Sequence, residues 1–247
     1  MEESEELDLD PSPVANFHAA RIEHYLERAE EYVRMARYSA VQKVLEKVYS
    51  LDPENSVGQA LGESVKEQLG VLQEHARKVF GNGNGTSGDA HHRGRSEIVL
   101  VVDQDERVLL ALTADLRKSG FKVIAAGGYP EAVETLKIIR PHIIVSEINF
   151  ESGAVGFDLY HLVRSDSVTA DLPFIFLATK IDRGTLIAGK RLGVDDFIEK
   201  PLDVEVVIAS VVNCISRRRQ MKNGTNGSTV SHDQIMIGAS LPPTQLS

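Results

Sequence analysis

The stretch EIVLVVDQDERVLLALTADLRKSGFKVIAA, residues 97–126, decides the fold. Its ends, EIVLVV and KVIAA, are short, apolar and rich in β-branched residues, which suits strands buried on both faces. Between them, ERVLLALTADLRKS repeats its apolar positions at helical spacing. The alternation continues through HIIVS, FIFLA and DFIE, with PEAVETLKII as another helical segment. Strands alternating with helices predict an α/β domain: a five-stranded parallel sheet, doubly wound, with helices on each side.

Ligand sites in such sheets lie beyond the carboxyl ends of the strands. The positions to inspect are therefore Asp103, Gln104, Glu147, Ala178, Thr179 and Lys200. Four segments fall there in order: VLVVDQD, PHIIVSEIN, LPFIFLAT and GVDDFIEKPL. In this order they resemble the receiver domain of two-component response regulators, a flavodoxin-like fold, over about residues 97 to 217. The resemblance implies a set of roles. Paired acids after the first strand hold Mg²⁺, and an aspartate ending the third strand accepts a phosphoryl group. A Ser or Thr ending the fourth strand and a Lys ending the fifth bind the phosphoryl oxygens. A hard cation needs oxygen ligands, and cation plus lysine neutralise the transferred group.

The chain departs from that pattern at several places. Asp103 matches one acid of the pair, but Gln104 stands at its neighbour, with Asp105 as a substitute one residue on. Glu147 occupies the phosphoacceptor position and Ala178 the hydroxyl position. Thr179 is next in line, but side chains alternate across a strand, so it is expected to point away. Lys200, Phe197 at the aromatic switch position and Asn149, a backbone metal ligand by resemblance, are retained, and the resemblance makes Pro201 a cis-proline. Glutamate carries its carboxylate about one bond further out than aspartate, which harms in-line transfer. The expected result is no efficient phosphorylation, no firm cofactor beyond weak Mg²⁺ binding, and a Glu147–Lys200 ion pair. Two alternatives stay open. One is a receiver that is still phosphorylated, with Asp103, Asp105 and Asn149 holding Mg²⁺. The other is a phosphatase resembling the haloacid dehalogenases, using Asp103 and Asp105 with Thr179, Lys200, Asp195 and Asp196. Otherwise Asp195 and Asp196 shape the turn into the fifth strand, and His142 is structural.

Before residue 81 the period is helical. Ile22, Tyr25, Leu26, Ala29, Tyr32, Val33 and Ala36 lie on one face of a helix from about Pro13 to Arg37. Ser39 and Gln42 have the form of a capping box for a second helix carrying Val41, Val44, Leu45 and Val48. Asp52 with Pro53 reads as the start of a third. Its seam is Val57, Leu61, Val65, Leu69, Leu72, Ala76 and Val79, whose near-heptad spacing suits a dimer. Tyr25, Ala29, Tyr32, Val41, Leu45, Val48 and Pro53 resemble the pattern of a tetratricopeptide repeat. A generic helical hairpin fits equally.

Residues 81–96, GNGNGTSGDAHHRGRS, read as a flexible linker, and 223–247 as a disordered tail. The expected domains are thus a helical interaction module at 13–80, that linker, a receiver-like domain at 97–219 and the tail. The linker lets the modules engage separate partners. The formal charge of −9 argues against a nucleic-acid or anionic-membrane partner. Arg217, Arg218, Arg219 and Lys222 form the one dense basic run, read as a solvated helix end. A single cysteine, Cys214, permits no internal disulfide. No apolar run approaches the roughly 20 residues of a membrane span. The sequence therefore predicts a cytoplasmic, non-enzymatic adaptor of two-component type. Its expected partners are proteins: a histidine kinase, another regulator, a scaffold or a second copy.

Overall fold

The computed structural model describes residues 13–81 and 97–225, apart from 152 and 154. Three helices come first: α1 (Pro13–Arg34), α2 (Tyr38–Leu51) and α3 (Ser56–Gly81). The alternating part follows as β1 (Ile98–Val102), α4 (Glu106–Lys118), β2 (Lys122–Ala126), α5 (Tyr129–Ile138), β3 (Ile143–Glu147) and α6 (Val155–Ser165). It closes with β4 (Phe174–Ala178), α7 (Arg183–Leu192), β5 (Asp196–Glu199) and α8 (Val204–Thr225).

The strands form a five-stranded sheet in the order β2-β1-β3-β4-β5, every pair parallel. Both faces are covered, which is why the strands read as continuous apolar runs. Val99, Val101, Ile143, Val145, Ile175 and Leu177 pack with Leu109, Leu112 and Leu116 of α4 and Val207 and Val211 of α8. On the opposite face Leu100, Val102, Ile144, Phe174, Phe176 and Ala178 meet Ala132 of α5 and Leu159, Tyr160 and Val163 of α6. Side chains of this size each contribute roughly 1.5–3 kcal/mol on full burial.

The amino-terminal helices belong to that second core. Ala29, Ala36, Val41, Leu45, Val48, Val65, Leu72 and Ala76 join one apolar cluster with Ile124, Ala126, Ala132 and Ile139. The turn between α1 and α2 lies along β2, an outer strand of the sheet. Ala36 adopts a φ of 60°, and its carbonyl accepts a hydrogen bond from the Ala125 amide at 3.0 Å. This satisfies an edge donor that would otherwise invite another strand. The expectation of modules joined only by a linker is corrected: they share a core. Residues 82–96, which carry nearly all of the expected linker, lie outside the described residues, as do 226–247 of the expected tail. Residues 223–225 end α8 instead.

Other boundaries differ for local reasons. The first helix stops at Arg34 rather than Arg37, because the chain turns through Ala36 onto β2. The capping box does not form: α2 begins at Tyr38, and the Ser39 hydroxyl instead bonds that of Thr135 on α5 at 3.3 Å. The third helix starts after Asn55, whose side chain accepts the Gly58 amide at 2.9 Å, leaving Asp52 and Pro53 in the turn. The seam expected for a dimer is largely used within the chain: Val65, Leu72 and Ala76 are buried, and Leu61 and Leu69 pack against the same core.

Candidate functional site

At the carboxyl end of the sheet, three charged side chains meet. Asp103 follows β1, Glu147 ends β3 and Lys200 follows β5. Strands β1 and β3 are neighbours, and their parallel register sets Val102 opposite Ser146, which puts the residues just beyond at one level. The Lys200 ammonium lies 2.6 Å from Asp103 Oδ2 and 2.5 Å from Glu147 Oε2. The expected Glu147–Lys200 pair is thus present in the geometry. The contact with Asp103 had not been foreseen.

Both carboxylates are buried, Asp103 at 0% exposure and Glu147 at 3%. Their remaining oxygens accept backbone amides: Asp103 Oδ1 from Asp105 at 2.9 Å and Glu147 Oε1 from Asn149 at 2.8 Å. Two carboxylates share one ammonium, so the cluster carries a formal charge of −1. Burial pushes the Asp103 carboxyl above its ordinary value; bonds from Lys200 and the Asp105 amide oppose this, and the Glu147 charge adds to it. For Lys200, burial alone favours deprotonation, but its bonds to Asp103 and Glu147 outweigh that and raise its pKa.

The other predicted residues divide clearly. Asp105 caps α4: Oδ1 accepts the Arg107 amide at 2.9 Å, and its carboxylate pairs with the Arg107 guanidinium. Its substitution for the missing metal acid is therefore not seen. The Gln104 side-chain oxygen accepts the Glu151 amide at 2.7 Å. Asn149 is exposed, and its backbone amide serves Glu147. Ala178 is fully buried and Thr179 exposed. Phe197 is partly buried, its ring 5.7 Å from that of Phe176 and packed over Gly189. The Lys200–Pro201 bond is cis.

The donor set does not fit a divalent cation. Asp103 and Glu147 are each engaged by the Lys200 ammonium and by a backbone amide, and Asp105 serves its own helix. Among the described residues, no group of three or more His, Cys, Asp or Glu side chains is arranged to hold a metal. The phosphatase set is dispersed as well. Asp195 accepts the Phe174 amide at 2.8 Å, at the amino end of β4 and thus at the opposite pole from Asp103. Asp196 bonds Ser210. His142 is structural: its Nδ1 accepts the Ile98 amide at 2.9 Å.

Sequence order, parallel topology and the strand-end cluster converge with one comparison: the family of the response regulator receiver domain matches residues 99–212. Residues 99–212 are a response regulator receiver domain. Over 113 residues the chain is 30% identical to the DNA-binding response regulator MtrA of Mycobacterium tuberculosis, covering 46% of this chain and 48% of that protein. The chain spans about half the length of that relative. It is 28% identical to protein PilH of Pseudomonas aeruginosa, covering 46% of this chain and 93% of that one. A two-component response regulator structure from Clostridium difficile aligns at 25% identity and a TM-score of 0.45, over 50% of this chain and 98% of the other.

Residues that sequence reading missed lie where the receiver meets the amino-terminal turn. Arg37 contacts Glu131 and Glu106, which are 94 and 69 positions away. Separations of that size leave no periodic signal. The one clue was an arginine beside a break in helical spacing.

Proposed function

We propose that this protein is an atypical response regulator that works as a cytoplasmic protein-interaction adaptor, its receiver held in one state by a resident ion cluster. The reading rests on Lys200 lying within 2.6 Å of both Asp103 and Glu147. In a working receiver that lysine must be available to an incoming phosphoryl group. Here it is engaged, and the acceptor position holds a glutamate with no acidic neighbour at Gln104. Mg²⁺-assisted transfer also needs metal ligands in place before the phosphoryl donor arrives.

Output through protein contact is supported by charge. The net charge is −9, and the three arginines of the basic run near the carboxyl end of α8 are engaged within the chain. Arg218 pairs with Asp171 at 2.7 Å, Arg219 with Glu97 at 2.5 Å, and Arg217 donates to the Cys214 sulfur at 3.1 Å. No described helix is long and apolar enough to cross a membrane. The helices α1 to α3, whether tetratricopeptide-like or a plain hairpin, add a surface that the receiver match does not include.

The test is chemical. Incubated with Mg²⁺ and a small acyl phosphate, the full chain keeps its intact mass. A stoichiometric phosphoryl adduct would overturn the proposal and restore the phosphoacceptor reading.

A further inference from the structure

Two bonded routes lead from Arg37 to the acidic cluster, and Arg28 of α1 joins the first, its Nη2 donating to Glu106 Oε1 at 2.5 Å. The Arg37 guanidinium donates to Glu131 from Nε at 3.1 Å and Nη2 at 2.6 Å, and to Glu106 from Nη1 at 2.9 Å. It also stacks over the Tyr32 ring, 4.3 Å from the centroid. The Arg37 and Glu131 side chains are only 12% and 10% exposed, so these contacts are made largely out of water.

The first route runs through Glu106, the opening residue of α4. Its neighbour Asp105 is the cap of that helix, and the Asp105 amide donates to Asp103 Oδ1 at 2.9 Å. The second runs through Glu131, whose Oε2 accepts the Gly127 amide at 2.8 Å. Gly127 follows Ala126, and the Ala126 carbonyl accepts the Asp103 amide at 3.1 Å. A Cβ on Gly127 would collide with the Arg37 guanidinium, which shows how closely the arginine is seated against this loop. The carboxylate of Asp103 is thus held by a group one residue from Glu106, which Arg37 grips, and its amide by a group one residue from Gly127, which is tied to Arg37 through Glu131.

We propose that Arg37 is a positioning residue for the Asp103–Lys200–Glu147 cluster: seating the α1–α2 turn on the receiver sets the cluster, and a protein that lifts the turn loosens it. The coupling has a physical basis in the contacts broken. Removing the turn takes the Ala36 carbonyl from Ala125 and, among the described residues, the only side-chain cation bonded to Glu131, which frees the Gly127 loop, and it leaves Glu106 with Arg28 alone. Buried carboxylates stripped of a cation reorganise toward water, and the backbone that carries them moves with them. The inference rests on the cluster being ion-paired, and on no phosphoryl chemistry.

Amide hydrogen exchange and the Lys200 ammonium resonance, both read by nuclear magnetic resonance on the full chain, test it. In Arg37→Ala the amides of Ala125, Asp103 and Asp105 exchange faster, by about tenfold or more, because local opening becomes easier. The Lys200 ammonium protons also exchange faster. Arg37→Lys, which keeps the charge but loses the fork, gives an intermediate effect. Gln73→Ala removes a contact elsewhere on the same interface, the bond to the Ile138 carbonyl, and leaves those amides unchanged. If Ala125 accelerates while Asp103, Asp105 and Lys200 do not, Arg37 only holds the turn and the proposal is wrong. If Arg37→Ala does not fold, Arg37→Lys decides by the same criterion. A failure of the ion-pair reading is separate: it appears in the unmutated chain as a fast-exchanging Lys200 ammonium.

Discussion

Lys200→Met removes what is, among the described residues, the one cation between two buried carboxylates while keeping most of the side-chain volume. Lys200 is 17% exposed at its side chain, Asp103 1% and Glu147 4%, so solvent cannot compensate easily for the loss. Breaking a buried pair by deleting one partner costs about 3–5 kcal/mol. In a chain of this size that corresponds to a fall in Tm of roughly 10 °C. Urea unfolding at neutral pH measures it, and the pH dependence identifies the cause. In the unmutated protein the Lys200 pKa is raised, so its contribution is complete below the ordinary 10.5 and is lost only as pH rises through the folded value. In the variant, the Asp103 carboxyl faces the Glu147 charge without the Lys200 counter-ion, and its folded pKa moves further up. A carboxyl harder to ionise in the fold destabilises it above the ordinary 3.8, so acidification restores stability and narrows the gap to the unmutated chain. A loss below about 1 kcal/mol, typical of exposed pairs, would refute the reasoning. So would a gap that stays constant from pH 7 to pH 4.

Glu147→Asp shortens the side chain so that its carboxylate cannot serve both Lys200 and the Asn149 amide; a loss of about 1–3 kcal/mol is expected in urea unfolding. Unchanged stability together with an unchanged Lys200 ammonium signal would remove the cluster's claim to importance. Partner capture by the full chain should weaken in Glu147→Asp and Glu147→Gln; if both bind as before, the carboxylate is a relic of an ancestral site. His142 is held neutral, its pKa lowered to about 3 by burial, then by His75, Arg219, Arg218 and Arg140. Its imidazole should stay neutral to about pH 4 by resonance titration, and stability should fall as pH drops below the ordinary 6.5, where the unfolded chain takes up the proton. A midpoint near 6.5 would contradict the buried geometry.

Within the receiver, what was legible was legible for a local reason. Strand segments buried on both faces must be apolar along their whole length, so EIVLVV, HIIVS and FIFLA announced themselves. Strand ends must carry the polar residues of any site, so Asp103, Glu147 and Lys200 could be named before their distances were known. The Glu147–Lys200 contact followed from the reach of a glutamate. The contact with Asp103 did not, because the path of the lysine depends on how β5 leaves the sheet. Asp105 was misplaced for a related reason: an acid one residue before a helix serves that helix, and this local demand took it from the site.

The amino-terminal half shows the other limit. Periodicity located α1, α2 and α3 to within a few residues, since an apolar stripe repeats within the helix itself. It could not say what the stripes face, and a Gly-rich segment suggested separation. The tertiary structure joins these stripes to the receiver core through α2, which packs on α5 and β2, diverting Ser39 from a helix cap to Thr135 and bringing Arg37 to Glu106 and Glu131. The sequence by itself determined which elements form and which residues stand at strand ends, because both depend on neighbours along the chain. Only the tertiary structure decided that the two halves share a core and that Asp103 is held from both sides, because such contacts join residues many positions apart and leave no repeat to read.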